Sequence, residues 1–74
     1  MFNKKLQEIR KSRGKTQKEI AELLDVSWIT YQRYELGKSE PNIQKLLSIS
    51  AILDVSLDVL LCRDEFLAEH ADEY

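Results

Sequence analysis

Apolar residues recur along this chain at the spacing of one helical face, and short polar clusters interrupt them. Phe2, Leu6 and Ile9 stand at i, i+4 and i+7, which predicts an opening amphipathic helix of about a dozen residues. Its other face carries Lys4, Lys5, Lys11 and Arg13, and Gly14 is placed to stop it. Thr16 followed by Glu19 is a capping box, in which each side chain satisfies a free backbone N–H at a helix start. Ile20, Ala21, Leu23 and Leu24 then carry the helical spacing to Asp25, a residue type that tolerates the left-handed conformation in which many helices end. Val26 is expected to drop into the core. Ser27 caps a third helix running from Trp28 to Leu36, and Gly37 ends it.

Beyond a loop from Gly37 to Pro41, Asn42 is the expected N-cap of a fourth helix with Ile43, Leu46, Leu47, Ile49, Ser50 and Leu53. Asp54 should end that helix, Val55 pack inward, and Ser56 cap a short fifth helix with Leu57, Leu60 and Leu61. The tetrapeptide Leu-Asp-Val-Ser occurs at 24–27 and again at 53–56. One shared tetrapeptide is not a structural repeat; it reads as one device used twice, ending a helix, burying a valine and capping the next helix. From Arg63 onward, acidic residues surround only a few apolar ones. The expectation is an all-α chain: a compact five-helix domain over residues 1–62, and residues 63–74 as an acidic tail that is either a short helix or a frayed end.

Size narrows what this fold can do. A domain of 74 residues buries only about 60% or slightly more of its unfolded surface, so nearly every apolar residue is committed to one core and none is left to enclose an active site. Cys62 is the single cysteine, which excludes an internal disulfide and fits a reducing compartment. Neither Cys62 nor His70 has metal-ligand partners at suitable spacing, and the tail carboxylates have no pocket. No enzyme activity, metal or cofactor is therefore expected. No apolar run approaches a membrane span and no signal peptide opens the sequence, so the cytoplasm is the expected compartment.

The net charge of −2 hides an asymmetry: nine Lys/Arg stand against five Asp/Glu through residue 38, and two against eight beyond it. A basic half can face phosphate while an acidic half faces away. Two capped helices joined by a turn of a few residues also form the helix-turn-helix arrangement, whose second helix can enter a DNA major groove.

The residues Leu6, Ile9-Arg10, Gly14, Thr16-Gln17, Glu19, Ala21, Val26-Ser27, Tyr34-Glu35, Gly37-Lys38 and Pro41, continuing through Leu46, Ile49, Leu53, Val55-Ser56 and Leu57 to Leu60, resemble the Cro/phage-repressor family of helix-turn-helix proteins, also called the xenobiotic-response-element type. The resemblance spans about residues 5–61. It implies a five-helix, repressor-like domain that binds duplex DNA and regulates transcription, as in small phage repressors, restriction–modification controllers and prophage regulators. Departures are Asp25 and Asp54, where the family often has glycine; Leu36, where many members have a polar residue; and the bulky apolar Trp28 and Ile29 at the start of the recognition helix.

Carried onto this chain, the resemblance implies that Gln17 contacts a DNA phosphate, helped by the N-terminus of its helix, and that Arg33 reads a base. Arginine can present two donors to guanine and glutamine can pair with adenine, so Gln32 is a weaker reader beside it. Trp28 and Ile29 meet either thymine methyl groups, the turn itself, or a protein partner. Thr30 and Ser27 suit phosphate or base contact, although Ser27 already caps a helix. Lys38 is placed for a phosphate just past the third helix. Tyr31 and Tyr34 read as core residues with a polar tip, while Lys11, Arg13, Lys15 and Lys18 read as solvated faces. Arg10 and Glu35 fall on apolar faces, and the resemblance implies an ion pair tying the first helix to the third.

The expected partner is double-stranded DNA with a palindromic operator, bound by a homodimer without any small-molecule ligand or membrane. Leu47, Ile52, Phe66, Leu67 and Tyr74 are the dimer candidates. The alternative is a protein-interaction module such as an antitoxin or adaptor, docking through Trp28, Ile29 or the tail.

Overall fold

A computed structural model describes residues 2–73. Six α-helices follow one another: α1 Phe2–Ser12, α2 Gln17–Leu24, α3 Trp28–Leu36, α4 Ile43–Leu53, α5 Leu57–Leu60 and α6 Arg63–Glu69, with a 3-10 turn at Ala71–Glu73. No strand occurs among the described residues. α3 packs on α2 and α1, α4 packs on α2 and α5, and α5 closes back on α1. Leu6, Ile20, Tyr31, Ile49, Leu53 and Leu60 are fully buried at the centre, each aliphatic one worth about 1.5–3 kcal/mol of transfer from water. Val26 and Val55 pack against this cluster as partly buried residues.

The helix starts follow the expected chemistry. Thr16 and Glu19 form the reciprocal box, with Glu19 N–H donating to Thr16 Oγ1 at 3.1 Å and Thr16 N–H donating to Glu19 Oε1 at 3.0 Å. Ser27, Asn42 and Ser56 each accept from a backbone N–H three residues on. The ends of α1 to α4 share one geometry. Asp25 (φ 57°) and Asp54 (φ 52°) are left-handed, as are Gly14 and Gly37. After each, the next residue's N–H reaches back five positions: Lys15 to Arg10, Val26 to Ala21, Lys38 to Arg33 and Val55 to Ser50, at 3.0–3.2 Å. These are Schellman closures, in which backbone alone satisfies the orphan carbonyls of a helix end. The repeated Leu-Asp-Val-Ser is this closure followed by an N-cap, built twice.

One expectation is extended and another corrected. Arg13, read as part of a solvated face, is exposed but also donates from Nε to the Leu53 carbonyl at 2.7 Å and from a terminal nitrogen to the Asp54 carbonyl at 3.2 Å, tying the segment just past α1 to the end of α4. Leu23, Ile43 and Leu61 hold helical spacing yet are exposed: α2 buries only Ile20, Ala21 and Leu24, α4 only Ile49 and Leu53, and Leu61 sits at the C-terminal end of α5. Lys45 makes a further tie, from Nζ to the Leu24 carbonyl at 2.7 Å. The tail is helical through α6, which buries none of its own residues and packs mainly on α5. No helix is long and apolar enough to cross a membrane.

Candidate nucleic-acid interface

α3 turns Tyr31, Tyr34 and Glu35 inward, and the two tyrosine rings meet edge to face with centroids 6.2 Å apart. The helical period then puts Ile29, Gln32, Arg33 and Leu36 on the opposite side. Ile29 is 66% and Leu36 57% exposed; Arg33 is exposed and Gln32 half-buried. Ser27 is occupied twice, accepting from Thr30 N–H at 3.0 Å and donating to Thr30 Oγ1 at 2.9 Å. Lys38 is exposed just past the helix end.

Behind this face runs a chain of hydrogen bonds. Arg10 Nε donates to Glu35 Oε2 at 2.6 Å, and a terminal Arg10 nitrogen donates to Oε1 at 3.1 Å. Such bidentate, charge-assisted pairs are the strong ones. The other Arg10 terminal nitrogen reaches the Lys15 carbonyl at 2.9 Å. Gln17 Nε2 also donates to Glu35 Oε1, at 3.1 Å, and Gln17 Oε1 accepts from the Trp28 indole N–H at 3.1 Å. Gln17 thus bridges the starts of α2 and α3 to the buried pair, a role that its position as a first-turn polar residue does not reveal.

Burial alone would push the Glu35 carboxyl up, but hydrogen bonds led by Arg10 hold it below the usual carboxylate range. Its hydrogen bond to Glu35 holds the Arg10 guanidinium above its ordinary value despite burial. The Tyr31 hydroxyl is raised, first by burial and then by Glu35 beside it; it has no hydrogen-bond partner of good geometry among the described residues. Together these place a fixed, mutually neutralised charge pair directly under the exposed face of α3.

Trp28 itself is 45% exposed, and the Lys18 ammonium lies 5.1 Å from its ring centroid, within cation–π range. Lys15, Thr16, Gln17, Lys18 and Trp28 line an open cleft at the start of α2. The structure therefore brings Gln17, Trp28 and Lys18 together and sets Ile29, Arg33 and Leu36 apart from them on the outer face of α3. Among the described residues, no group of three or more His, Cys, Asp or Glu side chains could hold a metal ion, and Cys62 is buried.

Comparison with known proteins bears on this geometry. A family model described as Helix-turn-helix matches residues 6–60. The uncharacterized HTH-type transcriptional regulator YqaE of Bacillus subtilis is 46% identical over 61 residues, covering 82% of this chain and 53% of that protein. The SPbeta prophage-derived regulator YonR of the same organism is 41% identical, covering 82% of this chain and 56% of its own length. The cryptic phage CTXphi transcriptional repressor RstR of Vibrio cholerae is 35% identical over 54 residues, covering 73% of this chain and 48% of its own. The chain spans about half the length of these relatives. No solved structure matches.

Proposed function

Because this chain belongs to the helix-turn-helix family of transcriptional regulators, we propose that it binds duplex DNA sequence-specifically, with α3 in the major groove, and so regulates transcription. The observation that carries this is the division of α3: one face is locked into the core by Tyr31, Tyr34 and Glu35, leaving Arg33 and its outward neighbours on a rigid, solvent-facing support. Rigid presentation limits the side-chain ordering needed when base edges are met. In this reading Arg33 is the main base reader and Gln32 a lesser one. Gln17 and Lys38 meet phosphates, with Ser27 and Thr30 beside them. The DNA-binding unit is residues 1–62, and residues 63–74 are an appendage outside it.

The same reading takes the active form to be a homodimer on a palindromic operator in the cytoplasm. One recognition helix reads only a few base pairs, too few to single out a site among a genome's competitors. Leu47 on α4 and Phe66 and Leu67 on α6 are exposed and lie in the acidic half, away from phosphate. Ile52 drops out as a dimer residue because it packs against the core, and Tyr74 lies outside the described residues.

Selection of bound sites from random duplexes tests the reading. A palindromic consensus is expected, with affinity falling steeply as salt rises because phosphate contacts release counterions. Sedimentation of the full chain and of a chain ending at Cys62, with and without the selected duplex, reads the stoichiometry. Failure to enrich any duplex at low salt would leave a protein-docking module as the better account.

A further inference from the structure

Trp28 and Ile29 stand side by side in sequence but are used differently. The single polar atom of the Trp28 side chain is spent on Gln17 at 3.1 Å, and its ring is held beside Lys18. Trp28 thereby holds the Gln17 carboxamide in place, and its N–H is not free for a base. Ile29 has no such tie. It points outward one turn before Arg33, and Leu36 points outward just under a turn after it. At about 1.5 Å per residue, Ile29 and Leu36 lie about 10 Å apart along the helix, the length of roughly three base steps at about 3.4 Å each.

Resting on the duplex-binding reading above, we propose that Ile29, with Leu36 as its counterpart, is a specificity residue that recognises the C5-methyl group of thymine in the major groove, on either side of the base read by Arg33. An aliphatic side chain cannot satisfy the hydrogen-bonding groups of a base edge. Burying it against one leaves those groups unpaired, unless the base offers an apolar group there. Thymine alone among the four standard bases does so, through its methyl. The surroundings favour a nucleic-acid occupant over an apolar protein one: Arg33 lies between the two on the outer face of α3, Lys38 is exposed just past the helix end, and the chain through residue 38 carries the excess of positive charge. The expected half-site therefore has thymine within one or two base steps of the base contacted by Arg33.

The test replaces each thymine of the selected duplex by uracil, which removes one methyl and changes no hydrogen-bonding group. Loss of one buried methyl is expected to weaken binding about three- to tenfold at one or two positions per half-site and nowhere else. Ile29→Ala should abolish the thymine–uracil difference at one such position, and Ile29→Val should retain it. Trp28→Phe, which removes the N–H but keeps a ring, should weaken all duplexes alike and leave that difference intact. A duplex bound equally well with uracil throughout would overturn the proposal while leaving duplex binding standing. So would methyl discrimination that survives Ile29→Ala but disappears in Trp28→Phe. Replacing cytosines by 5-methylcytosine separates the other source of the same group: tighter binding there, with indifference to uracil, would reject thymine as the ligand. A protein that enriches no duplex would overturn both readings together.

Discussion

Arg10→Ala would leave the Glu35 carboxylate, whose side chain is 2% exposed, without its cation. Removing one partner of a buried pair costs about 3–5 kcal/mol because the remaining charge stays out of water. A chain of this length has roughly 4–11 kcal/mol of total stability, so the loss would take much of the margin. With a urea m-value of about 1 kcal/mol/M for so small a domain, the midpoint should fall by about 3 M or more. Glu35→Gln is the informative companion. Its amide oxygen can still accept from Arg10 or Gln17, and the stranded guanidinium, whose side chain is 10% exposed, has more access to water; about 1–3 kcal/mol is expected. The pH dependence separates the two further. Glu35 is held below the usual carboxylate range, its burial outweighed by hydrogen bonds, so its charge contributes stability above the unfolded carboxylate value of about 4.3. That contribution is lost as pH falls through the folded value. The stability gap between the native chain and Glu35→Gln should accordingly close in acid. Equal urea midpoints for Arg10→Ala and Glu35→Gln, or a gap that widens below pH 4, would refute the stranded-charge reasoning.

Two further outcomes concern binding and the backbone. Arg33→Ala should reduce affinity for the selected site by about 1–3 kcal/mol and relax the preference at one base, with non-specific binding nearly intact. Gln17→Ala should lower affinity for every duplex similarly; competition titrations against specific and scrambled duplexes distinguish the two patterns. Gly37→Ala places a Cβ at a left-handed residue (φ 74°) and 3.3 Å from Asn3 Nδ2, which should cost about 1–2 kcal/mol and show as a lower midpoint in thermal unfolding.

What the sequence made legible was local. Capping residues, left-handed Asp25 and Asp54, and the inward valines are governed by neighbours within six positions, so spacing alone locates them. The Arg10–Glu35 pair came instead through family resemblance, since no local rule joins residues 25 positions apart. Arg13 is exposed, but its added bonds to the carbonyls of Leu53 and Asp54, 40 and 41 positions away, escape spacing for the same reason. Gln17 was assigned to a phosphate, and its bridge between Trp28 and Glu35 depends on the docked angle of α2 against α3. For the dimer face, Leu47 and Ile52 looked equivalent until packing against the core separated them.

The four Schellman closures have a consequence for how such a protein can change its target. Each joint at Gly14, Asp25, Gly37 and Asp54 is fastened by main-chain rings, and the inward clamp on α3 uses Tyr31, Tyr34 and Glu35. Ile29, Gln32, Arg33 and Leu36 take part in neither. Their identities can be exchanged almost independently of the scaffold's stability, since outward substitutions away from caps and cores usually shift it by no more than about half a kcal/mol. The molecule separates a scaffold fastened by its own backbone from a replaceable outer face, and on the proposed reading a new operator preference is reachable through a few outward side chains while the scaffold stays folded.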